Sequence, residues 1–251
     1  MCSVCGCGTD HSGVGNHASM LKPHAHTHAP DFSSTRIVEI EKDILSKNST
    51  FAQENHAWLK ARNIFALNFV SSPGSGKTSL LVKTITDLNH KYKFSVVEGD
   101  QQTDNDAQRI RATGAQAVQI NTGRGCHLDA HMVGHAFEEL DIPSGSISFI
   151  ENVGNLICPA LFGLGEDFTV AILSVTEGED KPIKYPDIFA NANLMLINKI
   201  DLLPYVDFNM DACKQYALRI NPNLEILELS SKTGEGMKNW YAWLEQKYLA
   251  R

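Results

Sequence analysis

The sequence predicts an α/β fold in which helices flank both faces of a mostly parallel sheet. Three observations carry that prediction. Short, nearly continuous apolar runs recur from residue 64 onward, as expected of strands buried on both faces. Helix-like stretches separate them, and alternation of this kind favours parallel crossovers. The first run passes straight into a Gly- and Ser-rich turn and then into a helical pattern, so one strand–loop–helix unit presents its backbone N–H groups at a single point.

The strand candidates are IFALNFV (64–70), FSVVEGD (94–100), ISFIEN (147–152), TVAILSV (169–175), ANLMLINK (192–199) and LEILELS (224–230). Helices are expected near 78–91, 104–113, 128–140, 208–220 and 235–249. Ahead of them, Ile37, Ile40, Ile44 and Leu45 have helix-compatible spacing, and Phe51 and Trp58 continue it past a polar interruption. One or two helices are therefore expected to lead into the main domain. Residues 1–33 hold few large apolar side chains and many Gly, Ser, His and Pro, so they cannot bury a core and read as a flexible arm. The expected organisation is an arm (1–33), a helical lead-in (34–62) and a sheet domain (63–251), with no internal repeat.

The chain has 251 residues, 43% of them hydrophobic and 20% charged, which is the composition of an ordinary soluble protein. A net charge of −7 argues against nucleic acid or an anionic membrane as partner. No stretch reaches a membrane-spanning length without charges, and the N-terminus lacks a basic and apolar leader, so a cytoplasmic location is expected. Cysteines there are mostly reduced, which favours metal binding over disulfides.

The turn after the first strand reads Ser71-Ser72-Pro73-Gly74-Ser75-Gly76-Lys77-Thr78, with Ser79 following. This is a phosphate loop. Its backbone N–H groups point at phosphate oxygens, Lys77 reaches the terminal phosphates, and Thr78 coordinates Mg²⁺. Gly74 and Gly76 allow close backbone approach. Ser71 stands where the motif usually has its first Gly. A later strand ends in Asn198-Lys199-Ile200-Asp201, an N-K-x-D pattern. A carboxylate at Asp201 accepts from guanine N1–H and its 2-amino group together, whereas adenine offers neither donor there. The downstream SSKTG, with Ser231 and Lys232, is similar to the loop that completes guanine recognition in GTPases. GTP and GDP are the expected nucleotides. Asp100 and Glu151, both at strand ends, are the acids expected to hold Mg²⁺ or its waters, and Gly154 closes a D-x-x-G-like switch with Glu in the first place. No Gln follows Gly154; Asn155 stands there, so slow intrinsic hydrolysis is expected.

Two further clusters have the chemistry of metal ligands. Cys126 and His127 are adjacent, His131 follows four residues later, and Cys158 lies seven residues beyond Glu151. If a helix begins by residue 127, both imidazoles share one face. Thiolate with imidazole suits Zn²⁺ or Ni²⁺. Cys2, Cys5 and Cys7 form a compact C-x-x-C-x-C, and with a free α-amine would offer an S₃N set suited to square-planar Ni²⁺. Cys213 reads as core packing, and His90 and His135 as helix-surface residues.

Taken in order, the phosphate loop, N-K-I-D, the N-terminal C-x-x-C-x-C, NTGRGCHLDAH (121–131) and ENVGNLICPA (151–160) resemble the hydrogenase nickel-incorporation GTPases of the HypB family. The resemblance covers the body from about residue 62 onward, plus the short N-terminal motif. It implies a SIMIBI-class GTPase that dimerises around nucleotide. It also implies nickel delivery to the large subunit of [NiFe]-hydrogenase with a HypA-type metallochaperone. It makes Cys126, His127, His131 and Cys158 the metal site of the GTPase domain, at or near the dimer interface, and Cys2, Cys5 and Cys7 a separate nickel site. The alternatives are a urease-type nickel-delivery GTPase, opposed by Ala160 where that family has a His after Cys-Pro, and a nickel storage protein.

Overall fold

The computed structural model describes residues 34–100, 105–123 and 125–251. Cys2, Cys5, Cys7 and the expected arm lie outside the described residues. In chain order the elements are α1 (Ser34–Ala61), β1 (Phe65–Ser71), α2 (Lys77–Leu88), β2 (Phe94–Asp100), α3 (Asn105–Arg111) and β3 (Gln116–Asn121). They continue with α4 (Ala130–Glu139), β4 (Ile147–Gly154), a 3₁₀ turn (Cys158–Leu161), β5 (Phe168–Ser174), α5 (Lys181–Lys184) and α6 (Pro186–Asn191). The last are β6 (Leu194–Asn198), a second 3₁₀ segment (Ile200–Tyr205), α7 (Met210–Ile220), β7 (Glu225–Glu228) and α8 (Met237–Leu249).

The strands form one seven-stranded sheet in the order β3-β2-β4-β1-β5-β6-β7, with every pairing parallel. β1 is buried along its whole length and pairs with β4 on one side and β5 on the other. Apolar side chains fill both faces. Phe65, Phe69, Phe149 and Trp240 anchor one layer with α2 and α8, while Leu59, Val133 and Phe137 join β-strand residues in the layer under α1 and α4. Each fully buried side chain of this size contributes about 2–3 kcal/mol. The chain order reverses around β1, with β2 and β4 on one side and β5 on the other. A crevice therefore opens at the strands' carboxyl ends, where ligands gather in such sheets.

Six of the seven strands stand where the apolar runs predict them. The seventh, β3, carries Gln116, Gln119 and Asn121 at the sheet edge, and of its residues only Val118 is buried. An edge strand needs no continuous apolar run, so periodicity gives no signal for it. Residues 34–61 form one continuous helix, although the sequence has a polar break there. Within that break only Asn48 points inward, joined further along the helix by Asn55, while Ser46, Lys47, Ser49 and Thr50 are exposed. Asn48 donates to the Gly163 carbonyl (2.8 Å) and accepts from Ala130 N–H (2.8 Å). Asn55 donates to the carbonyls of Ala130 (2.7 Å) and Leu164 (2.9 Å). Trp58 stacks on Phe137 with ring centroids 5.6 Å apart. These bonds fix α1 to the start of α4. No helix among the described residues is long and apolar enough to cross a membrane.

Replacing Asn55 by Ala strips two carbonyls of their buried donor. The expected cost is about 1–3 kcal/mol, read as a lower urea midpoint. An unchanged midpoint would show that the inward amides do not hold α1.

Candidate functional site

The phosphate loop lies between β1 and α2. Gly76 caps α2 with φ 99°, a left-handed conformation that favours glycine, and no side chain caps the helix. A Cβ at Gly76 would also stand 2.5 Å from Asn198 Nδ2. The helix N-terminus and loop N–H groups therefore face the crevice with their partial positive charge. Ser71 ties the loop together. Its hydroxyl accepts from Lys77 Nζ (2.9 Å) and from Ser75 Oγ (2.6 Å) and donates to Ser72 O (2.7 Å). Burial lowers the pKa of Lys77, and Glu151 opposes that shift with its charge.

Lys77, Thr78, Ser79, Gly74, Gly76, Asp100, Glu151 and Gly154 all line one cavity of about 510 Å³ at the carboxyl ends of β1, β2 and β4. Thr78 Oγ1 donates to Glu151 Oε1 at 2.7 Å. Ser75 lies in the loop, buried behind this wall. Three further groups in the cavity belong to none of the sequence motifs: Glu98, Asp106 and Arg109. Arg109 binds Asp106 (3.1 Å) and Ser79 Oγ (3.2 Å). Glu98 stands opposite Glu151 in the β2–β4 register and is only 2% exposed. Burial, then the neighbouring charge of Glu151, pushes its carboxyl up to about 8, and burial pushes that of Glu151 up to about 7. One oxygen of each, Oε2, is buried with no protein partner. Two desolvated acids converge beside one lysine and one threonine hydroxyl, an arrangement that fits a cation with oxygen ligands.

The N-K-I-D segment is joined to the phosphate loop. Asn198 Nδ2 donates to Ser75 O (2.9 Å), and Lys199 Nζ donates to Gly74 O (2.6 Å). Asn198 Oδ1 accepts from Ser231 N–H (3.2 Å), which docks the SSKTG loop, where Lys232 is exposed. Ser230 Oγ donates to Asp201 Oδ1 at 2.6 Å, fixing the carboxylate.

A second cavity, of about 550 Å³, shares Pro73, Val153 and Gly154 with the first and contains Cys126. Behind it, the ligand atoms of Cys126, His127 and Cys158 all lie within 4.8 Å of one another, the one such cluster among the described residues. The sulfurs of Cys126 and Cys158 are 2.7 Å apart, and His127 Nδ1 is 3.6 Å from Cys126 Sγ. Burial lowers the pKa of His127 against the opposing charge of Asp129, favouring the neutral imidazole that a metal requires. Its ring lies against Phe162, with centroids 4.0 Å apart. The end of β4 holds this loop in place. Asn155 Nδ2 donates to Cys126 O (3.2 Å), and Asn152 Oδ1 accepts from Leu128 N–H (3.1 Å). Cys213 is buried in the core, its thiol pushed up to about 12 by burial.

His131 does not join this group. Asp129 accepts from Met132 N–H and caps α4, so the helix begins at Ala130, after His127. The two imidazoles consequently do not share a helical face. His131 contacts His135 instead.

The CobW/HypB/UreG nucleotide-binding domain family matches residues 65–228. Hydrogenase maturation factor HypB of Rhizobium leguminosarum bv. viciae is 64% identical over 221 residues, spanning 88% of this chain and 74% of the relative. The chain belongs to the HypB family. HypB of Escherichia coli K12 is 55% identical over 226 residues, spanning 90% of this chain and 78% of its own. HypB from Helicobacter pylori, crystallised in complex with nickel, superposes with a TM-score of 0.78 at 38% identity, over 81% of this chain and 96% of that one. The seven-stranded parallel sheet with its phosphate loop is thus the HypB fold.

The buried acids yield a pH prediction. An ordinary Glu, titrating near 4.5, loses its proton early in the unfolded chain, whereas Glu98 retains it to about 8 when folded. The folded state thus binds more protons between those values, and stability falls as pH rises through them, by about 1.4 kcal/mol per pH unit at most. In protein free of nucleotide and divalent cations, Glu98→Gln is expected to gain stability over wild type steadily from about pH 5 to about pH 8. Urea denaturation curves that stay parallel across that range would contradict it.

Proposed function

We propose that the protein is a GTP-hydrolysing metallochaperone that binds nickel, and also zinc, and assists nickel insertion into [NiFe]-hydrogenase. The observation that carries this reading is the shared wall: Pro73, Val153 and Gly154 border both the nucleotide cavity and the cavity at Cys126. In this reading Gly74, Ser75, Gly76, Lys77, Thr78 and Ser79 hold the phosphates, and Asn198, Lys199, Asp201, Ser231 and Lys232 hold guanine. The orphaned buried oxygens of Glu98 and Glu151 fit Mg²⁺, which with Thr78 and Asp100 would neutralise phosphate charge.

The chain's own residues divide the work. Lys77 stabilises charge on the terminal phosphate oxygens. Gly154 N–H would sense the γ-phosphate; a Cβ there would meet Pro73 backbone at 2.9–3.0 Å, which favours glycine at this close approach. Asn155 does not replace a water-positioning Gln, because its amide is committed to Cys126 O and Ile157 N–H. Slow hydrolysis is consistent with that commitment. Nickel is the cargo, taken by Cys126, His127 and Cys158. GTP would draw the end of β4 toward the phosphates and change the spacing of Cys158 and Cys126, and hydrolysis would release it. Nucleotide can move nickel only if the two states bind it unequally.

The same proposal includes a nucleotide- or metal-dependent homodimer near this face, a HypA-type partner, the hydrogenase large subunit as recipient, and a cytoplasmic location. The division into arm (1–33), lead-in (34–62) and GTPase domain (63–251), and the separate nickel site at Cys2, Cys5 and Cys7, belong to it as well. Ala160 after Pro159 counts against the urease-type alternative. A storage protein would have no use for the joint between Asn198 and the phosphate loop.

Cys126→Ser or Cys158→Ser is expected to lower nickel affinity at least tenfold while leaving GDP affinity within about twofold. Equal nickel affinity in both variants and wild type, by calorimetric titration, would overturn the assignment. Asp201→Asn should weaken GTP by roughly 100-fold or more and improve binding of xanthosine triphosphate, whose 2-oxo group accepts where guanine donates. Unaltered GTP binding would remove Asp201 from base recognition.

A further inference from the structure

Ser71 ends β1 at the place where a phosphate loop usually has glycine, and it is fully buried. A serine hydroxyl has one proton to give and two lone pairs to offer. Here all three are used. The proton goes to Ser72 O at 2.7 Å, while the oxygen accepts from Ser75 Oγ at 2.6 Å and from Lys77 Nζ at 2.9 Å. The hydroxyl is therefore fixed in direction, with a lone pair turned to the lysine.

Lys77 has a stronger electrostatic partner close by. Burial lowers its pKa, and among the charges that oppose the shift Glu151 has the largest effect. Both residues are buried and line the same cavity. Glu151 also has capacity for another donor: Oε1 accepts from Thr78 Oγ1, and Oε2 is buried with no protein partner. Charge-assisted hydrogen bonds are the stronger kind, and an unpaired buried acceptor is costly, so a lysine and a carboxylate in this setting are expected to close into an ion pair. The ammonium is bonded to a neutral hydroxyl instead.

We propose that Ser71 is a positioning residue that holds Lys77 back from Glu151, so that the empty site keeps its ammonium available for phosphate and its carboxylate available for a cation. This role rests on the guanine-nucleotide reading proposed above. A closed Lys77–Glu151 pair would cancel the two charges that the ligand needs, and an entering phosphate would have to break it. With glycine in the usual place, no side chain at this position would divert the lysine.

The test is a double-mutant cycle, read as GDP affinity of the full-length, reduced protein without divalent cations, by calorimetric titration. Ser71→Ala releases Lys77 to Glu151 and is expected to weaken GDP by about tenfold or more, as follows when about one empty site in ten keeps its lysine available. Ser71→Cys retains the shape with a poorer acceptor and should lose affinity in the same direction, to a smaller extent. It carries the cycle by itself if Ser71→Ala does not fold. Glu151→Gln removes the competing charge, and in that background either change at Ser71 should alter GDP affinity by no more than about twofold. A hydroxyl that merely supports the loop would give the same loss in both backgrounds. That result overturns the proposal, and so does wild-type GDP affinity in both Ser71 variants. A wild type that binds no GDP would overturn the nucleotide reading and this role with it, whereas a failure confined to the cycle overturns the role of Ser71 alone.

Discussion

The 2.7 Å hydrogen bond from Thr78 to Glu151 is the contact on which the rest of the site depends. It joins the first turn of α2 to the end of β4, and both partners are buried. A carboxylate at that depth is tolerated because Lys77 and the Thr78 hydroxyl oppose its desolvation, yet Glu98 sits across the strand pair and adds a second acid. Desolvation pushes both acids up, Glu98 to about 8 and Glu151 to about 7, so a cation bound beside them would favour their charged forms. Such an arrangement favours whichever ligand brings positive charge to the acids and negative charge to the lysine and the helix N-terminus. A magnesium nucleotide does both.

From that contact the consequences run along β4. Three residues beyond Glu151 the strand passes Pro73 with only a glycine's clearance, and the next residue, Asn155, binds the carbonyl of Cys126. Asn152 holds Leu128 from the same strand end. The loop carrying Cys126 and His127 is thus fastened to the element that also borders the phosphate-loop cavity, and Cys158 follows on the same stretch of chain. Packed interiors transmit small displacements because they have few voids to absorb them. The proposed coupling would require no long pathway, only the motion of one strand end.

Much of this is legible in the sequence, for identifiable reasons. Strands buried on both faces announce themselves by uninterrupted apolar runs, and the phosphate loop and N-K-I-D are local in sequence because backbone geometry makes them so. Edge strand β3 escapes such a reading, since Gln116 and Gln119 interrupt any apolar run there. Glu98 hides inside FSVVEGD as one polar letter in a strand. Strand alternation puts it on the same face as Asp100, itself marked as a site acid, and that period of two is the available signal. Grouping His131 with His127 requires a helix that starts by residue 127, and the helix starts later. Asp129 is a good N-cap residue, and that signal alone places His127 outside the helix and separates the two imidazoles. The inward asparagines of α1 have no sequence signal, since polarity at mid-helix reads as solvent exposure until a carbonyl-rich partner is known.

The most direct test of the coupling is nickel titration of the reduced protein in its apo, GDP-bound and non-hydrolysable-GTP-bound forms, with Gly154→Ala run alongside. If β4 links the cradle to the thiols, nickel affinity at the Cys126–Cys158 cluster differs between the GDP and GTP-analogue forms of the wild type, and the difference shrinks in Gly154→Ala. Identical nickel affinity in all three forms would contradict the account, leaving a nucleotide site and a metal site that share a wall without sharing energy.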